Sequence, residues 1–119
     1  MALVTNAGLA NVMAAWNAYA SRPIWLQFGT GSGQLADAND LAAPVQLRVT
    51  GISTQTTTTV TGDTLQITGS ITATDNNTIT EVGLFDAGAG GNLDIYGDFT
   101  GIDLVTGDGI TFSVTITVS

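Results

Sequence analysis

Three observations predict a mainly β chain, an antiparallel β-sandwich or jelly-roll-like domain with one N-terminal amphipathic helix. Short runs alternate apolar residues with Thr or Ser, glycine- or Asx-containing turns recur about every ten residues, and a single early stretch has helical spacing. Alternation is the decisive signal, because successive strand side chains point to opposite faces. The cleanest case is the last run: Ile110, Phe112, Val114, Ile116 and Val118 share one face, and Thr111, Ser113, Thr115, Thr117 and Ser119 the other.

Residues 6–21 read as the helix, with Leu9, Val12, Met13, Trp16 and Tyr19 recurring at three- and four-residue intervals along one stripe. Thr5 or Asn6 caps its start, and Pro23 limits its run, since the residue before proline avoids the helical region. The stripe serves packing on the chain's own sheet; a docking surface at Trp16 and Tyr19 is the alternative. Ile24, Leu26 and Phe28 then alternate with Trp25 and Gln27 in a first strand. The Gly29-Thr-Gly-Ser-Gly33 loop after it lacks the glycine spacing of a dinucleotide loop and the Lys of a P-loop, so it reads as a flexible turn. Residues 34–44 read as a polar surface loop or short turn of helix in which Asp37 and Asp40 are possible caps.

Beyond Pro44, Val45, Leu47 and Val49 are expected to point inward and Arg48 away from the core. Residues 55–61, nearly all threonine, suit a solvated edge strand or exposed ribbon that Gly62-Asp63 turns back. Leu65, Ile67, Ile71 and Ala73 make the next inward face, followed by a turn at Asp75-Asn76-Asn77. The central hairpin spans 78–99, with a turn at 86–92 built from residues that tolerate positive φ. Val82 and Leu84 point one way and Ile79, Glu81 and Phe85 the other, so this strand lies inside a sheet and not at its edge. Leu93, Ile95 and Phe99 are assigned to the core, Asp94, Tyr96 and Asp98 outward. Ile102 and Leu104 form a further short strand before a turn at 106–109, for about eight strands in all.

A chain of 119 residues fits one domain, 1–119, whose arm and helix occupy about residues 1–22. Only 10% of residues are charged, against about a quarter in ordinary domains, which suggests a surface largely covered by partners. With Lys absent and few charges to blunt strand edges, association into a closed oligomer is expected. The net charge of -8, with Arg22 and Arg48 as the only cationic side chains, argues against nucleic acid and anionic membranes as partners. No apolar run approaches the roughly 20 residues of a transmembrane helix, and no basic-then-apolar leader begins the chain, so use without export is expected.

The inventory for chemistry is thin. His 0 and Cys 0 remove the commonest general base, the thiolate nucleophile and the usual zinc ligands, so no enzyme, cofactor, metal or small-molecule substrate is expected. Asp86, Asp94, Asp98, Asp103 and Asp108 gather in the last third, but their spacing matches neither an EF-hand nor a calcium-binding β-roll. They read as solvated turn carboxylates. Two acids suffice for a glycosidase, yet Glu81 is the one acid expected to be sheltered, in a hydrogen-bonded or Arg-paired role. Arg22 and Arg48 are each expected to pair with a carboxylate of this or a neighbouring chain.

Four segments, TNAGLANVMAAW, PIWLQFGTGSG, ITEVGLFDAGAGGNL and TGDGITFSVTITVS, resemble in that order a group of small bacteriophage virion proteins: capsid decoration (cement) proteins and related tail-fibre or collar β-modules. The resemblance implies a non-enzymatic, usually trimeric β-domain on the outer surface of a phage particle, made in the host cytoplasm. Its partner would be the major capsid protein. Because the chain lacks a repetitive shaft, head decoration is favoured over a tail-fibre, collar or receptor-binding module that supports host attachment. The residues expected to make contacts are Ala2, Leu3 and Val4 of the arm, Trp16 and Tyr19 of the helix stripe, and Arg22, Arg48 and Glu81.

Overall fold

The computed structural model describes residues 2–118. One helix, α1 (Asn6–Ala18), precedes seven strands: β1 (Trp25–Gly29), β2 (Val49–Thr50), β3 (Ile52–Thr56), β4 (Thr64–Thr72), β5 (Asn77–Phe85), β6 (Leu93–Leu104) and β7 (Gly109–Thr117). They form two antiparallel sheets, one in the order β2-β1-β5-β6 and the other in the order β3-β4-β7. The fold is thus the mainly β, sandwich-like arrangement with an N-terminal helix that alternation predicts.

The apolar runs explain the layering. Leu26 and Phe28 of β1 and Leu84 of β5 meet Leu65, Ile67 and Ile71 of β4 and Ala73 just after it, and all of these are buried. Fully burying one such side chain stabilises the fold by about 1.5–3 kcal/mol relative to leaving it in water. The chain switches sheets at Gly51, between β2 and β3, which makes a sandwich corner. A Cβ there would lie 2.6 Å from Leu26 Cδ1 and 2.8 Å from the Thr68 carbonyl oxygen, so only glycine fits. As expected, β5 is interior to its sheet, flanked by β1 and β6.

Several expectations are corrected by specific contacts. The helix ends at Ala18, because Tyr19 is already extended and donates its N–H to the Trp16 carbonyl. Thr5 is the cap, its hydroxyl accepting from Gly8 N–H at 3.2 Å. Only part of the helix stripe turns inward: Leu9 and Met13 are buried and Trp16 packs on the core, whereas Val12 and Tyr19 are exposed. The threonine-rich strand stops at Thr56. The next residues instead wrap Asp63, which is buried and accepts N–H bonds from Thr58, Thr59 and Val60.

Residues 30–48 cover the outer face of the first sheet, so β5 is buried on both sides. Only after this cover does the chain pair as a strand, at Val49–Thr50, and Leu47 is 87% exposed instead of inward. Arg48 does not point away: its guanidinium lies 3.5 Å from the Phe85 ring centroid. The β5–β6 register slips, since the step from Ile79 to Glu81 faces the step from Ile102 to Asp98. Ile79 therefore joins Leu84 in the core instead of sharing a side with Glu81. Leu93 packs near Gly83 and lies outside the core cluster, while Ile95 and Phe99 pack against it as assigned. Ile102 belongs to the single long β6 and is 42% exposed.

Candidate interaction surface

Two of the sequence-predicted contact groups face solvent. The arm leads into the extended Thr5 cap, and it presents Leu3 at 81% and Val4 at 61% exposure beside the exposed Ala2. The helix adds Val12 and Tyr19. Underneath, α1 is anchored to β3 and β4: Gln55 of β3 donates from Nε2 to the Ala10 carbonyl at 2.9 Å and to the Gly62 carbonyl at 2.7 Å. The N-terminal element is fixed on one side and apolar on the other. Trp16 is committed to packing, so only Tyr19 of the predicted aromatic pair is available for contact.

Glu81 is 0% exposed, and its surroundings are made of backbone donors and not of arginine. Oε2 accepts from Gly31 N–H at 3.0 Å and from Ala43 N–H at 2.8 Å. Oε1 accepts from Ala42 N–H at 2.9 Å and from the Tyr96 hydroxyl at 2.9 Å. Burial by itself raises the carboxyl pKa, but the Ala43, Ala42, Tyr96 and Gly31 donors outweigh it and hold the group below the ordinary range. Burial, then the bond to Glu81, pushes the Tyr96 phenol up to about 12. Tyr96, read from the sequence as outward, is half-buried for the same reason.

The Gly29–Gly33 loop is consequently pinned and not flexible. Gly31 is bonded to Glu81, Thr30 N–H donates to the Ala43 carbonyl, and Gly33 N–H donates to Asp98. A Cβ on Gly29 would meet Glu81 Oε2 and the Ala43 carbonyl oxygen. The glycines make room for an internal carboxylate where a phosphate loop would admit an external one. Sequence reasoning missed this, although the pairing of a sheltered acid with a glycine-rich loop was visible.

Both arginines also serve structure. Arg48 donates from Nη1 to the Ala87 and Gly90 carbonyls at 2.8 and 2.7 Å, which ties the 86–92 turn to the ring of Phe85. Arg22 donates to Ser53 Oγ at 2.8 Å and to the Tyr19 carbonyl at 3.1 Å. Among the described residues neither meets a carboxylate, which corrects the expected intrachain Arg–Glu81 pairing. The remaining acids stay mostly local: Asp86 accepts from Asn92, and Asp108 from Val105 N–H. Asp94 is raised by partial burial and then by the neighbouring charge of Asp86. Among the described residues no three acids cluster as a metal site. No protein-family model matches the sequence, and the search of curated proteins found no match.

Proposed function

We propose that the chain is a non-enzymatic structural module of a bacteriophage particle, decorating the outside of the capsid and stabilising it by bridging major capsid subunits. The observation that carries this reading is the N-terminal element, where Leu3, Val4, Val12 and Tyr19 are turned outward from a helix anchored beneath by Gln55. Apolar groups displayed on a fixed support suit a lasting contact better than a transient one. The buried acids support it as well, since Glu81 and Asp63 are saturated by backbone and hydroxyl donors that hold loops in place. The charge of -8 favours the outer surface over the interior, where packaged DNA would repel it. As a closed oligomer the module grips several subunits at once, and effective concentration turns weak contacts into firm attachment.

Particles lacking the chain are expected to assemble, to rupture at lower temperature and to adsorb normally to host cells. Adding purified protein should restore the rupture temperature, and the doubly substituted Leu3→Asp, Val4→Asp chain should not. Particles that are equally robust without it but fail to adsorb would replace this reading with a tail-fibre or collar module.

A further inference from the structure

Each sheet has two edges, and three of the four carry a device that discourages pairing with another chain. β2 has only two residues, and β6 combines the exposed Asp94, Asp98 and Asp103 with its register slip. β3 is short, five residues, and α1 packs against it and β4. β7 has none of these. Its nine residues pair with β4 from Thr64↔Thr117 to Thr72↔Gly109 without a shift, and they include no charge and no proline.

The direction of the unused hydrogen-bonding groups follows from the ladder. Val118 N–H donates to the Asp63 carbonyl and Ala73 N–H to the Asp108 carbonyl, and both pairs continue the β4–β7 register. In an antiparallel ladder hydrogen-bonded pairs alternate, so even-numbered residues of β7 bond to β4. The N–H and C=O groups of Thr111, Ser113, Thr115 and Thr117 therefore point away from β4, and among the described residues no other element lies beside β7. The inward side chains tell the same story: Ile110, Phe112, Val114, Ile116 and Val118 are only half-buried. A further strand would cover both the backbone groups and this row.

Charge selects the occupant. All ten acids and both arginines lie outside β3, β4 and β7, so the second sheet is neutral in a chain of net charge -8. A basic partner gains nothing at such an edge, whereas a chain that is itself acidic can approach there without like-charge repulsion. We infer that the outer edge of β7 is the seam at which a second copy of this chain adds to the sheet. The inference concerns self-association alone and does not need the capsid reading.

Amide-resolved hydrogen exchange with light scattering on the purified chain tests it. In the associated protein the amides of Thr111, Ser113, Thr115 and Thr117 should be protected. Thr115→Pro removes only an N–H that β4 does not use, and it should abolish the larger species and that protection. Thr68→Lys, on the exposed face of the central strand β4, should leave both intact. Should Thr115→Pro fail to fold, the wild-type exchange pattern decides by itself. Fast exchange of these four amides in associated protein, a wild-type monomer at its highest soluble concentration, or loss of association in Thr68→Lys would each overturn the inference.

Discussion

Replacing Glu81 by Gln keeps the shape of the side chain and removes half of what its carboxylate does. Each oxygen accepts two bonds, at distances from 2.8 to 3.0 Å. The amide retains one acceptor, while its NH₂ confronts two donors, either the Gly31 and Ala43 N–H groups or the Ala42 N–H and Tyr96 O–H. Hydrogen bonds to a charged group contribute about 1.5–3 kcal/mol each, so losing two costs roughly 3–6 kcal/mol. That is a large part of the ordinary 5–15 kcal/mol stability of a domain. Urea unfolding gives the magnitude, and limited proteolysis should show earlier cleavage within residues 30–43. The sign with pH follows. The folded pKa of Glu81 lies below the ordinary glutamate value of 4.5, so its contribution is present above that pH and lost as pH falls through the folded value. Glu81→Gln should flatten this part of the acid-stability curve. A variant within about 0.5 kcal/mol of wild type, with unchanged cleavage, would refute the argument that this carboxylate pins the cover, since surface changes commonly fall in that range.

Other consequences can be checked in the same preparation. Arg48→Ala should loosen the 86–92 turn and cost about 1–3 kcal/mol, and Arg48→Lys should not restore it, because an ammonium lacks the planar fork that stacks on Phe85 while bonding two carbonyls; full rescue by Lys would contradict this. In a Tyr19→Phe chain, Tyr96 is the one remaining tyrosine, and absorbance titration should show its phenolate forming only near pH 12 against an ordinary value of 10.0. Its raised pKa stabilises the fold below pH 10, a contribution lost as pH climbs through the folded value, and ionisation near pH 10 in the folded protein would remove the Glu81 bond from the account.

What the sequence revealed, and what it hid, divides along one physical line. Period-two alternation is local, so the inward faces of β4 and β7, the 86–92 turn and the interior position of β5 were all legible. Partners brought together by the fold were not. The alternation of Val45, Leu47 and Val49 signalled a strand, but residues 45–48 form none, so Leu47 faces solvent and Arg48 turns onto Phe85. The threonine run satisfied strand propensity, but three of its N–H groups found a better acceptor in Asp63, a contact across a turn that propensity does not register. Glu81 was correctly read as sheltered, yet its donors lie 50, 39, 38 and 15 residues away. The exposed arm was legible because nothing in its sequence gives Leu3 and Val4 a face to bury.

The central claim, that this chain sits on the outside of a capsid and braces it, is tested most directly by a cryo-electron microscopy reconstruction of virions that contain it. The account predicts density for its β-domains on the outer shell, with the Leu3–Val4 arm against major capsid subunits and the β7 edges facing copies of the same chain. Density confined to the collar or tail, with a bare shell, would contradict it.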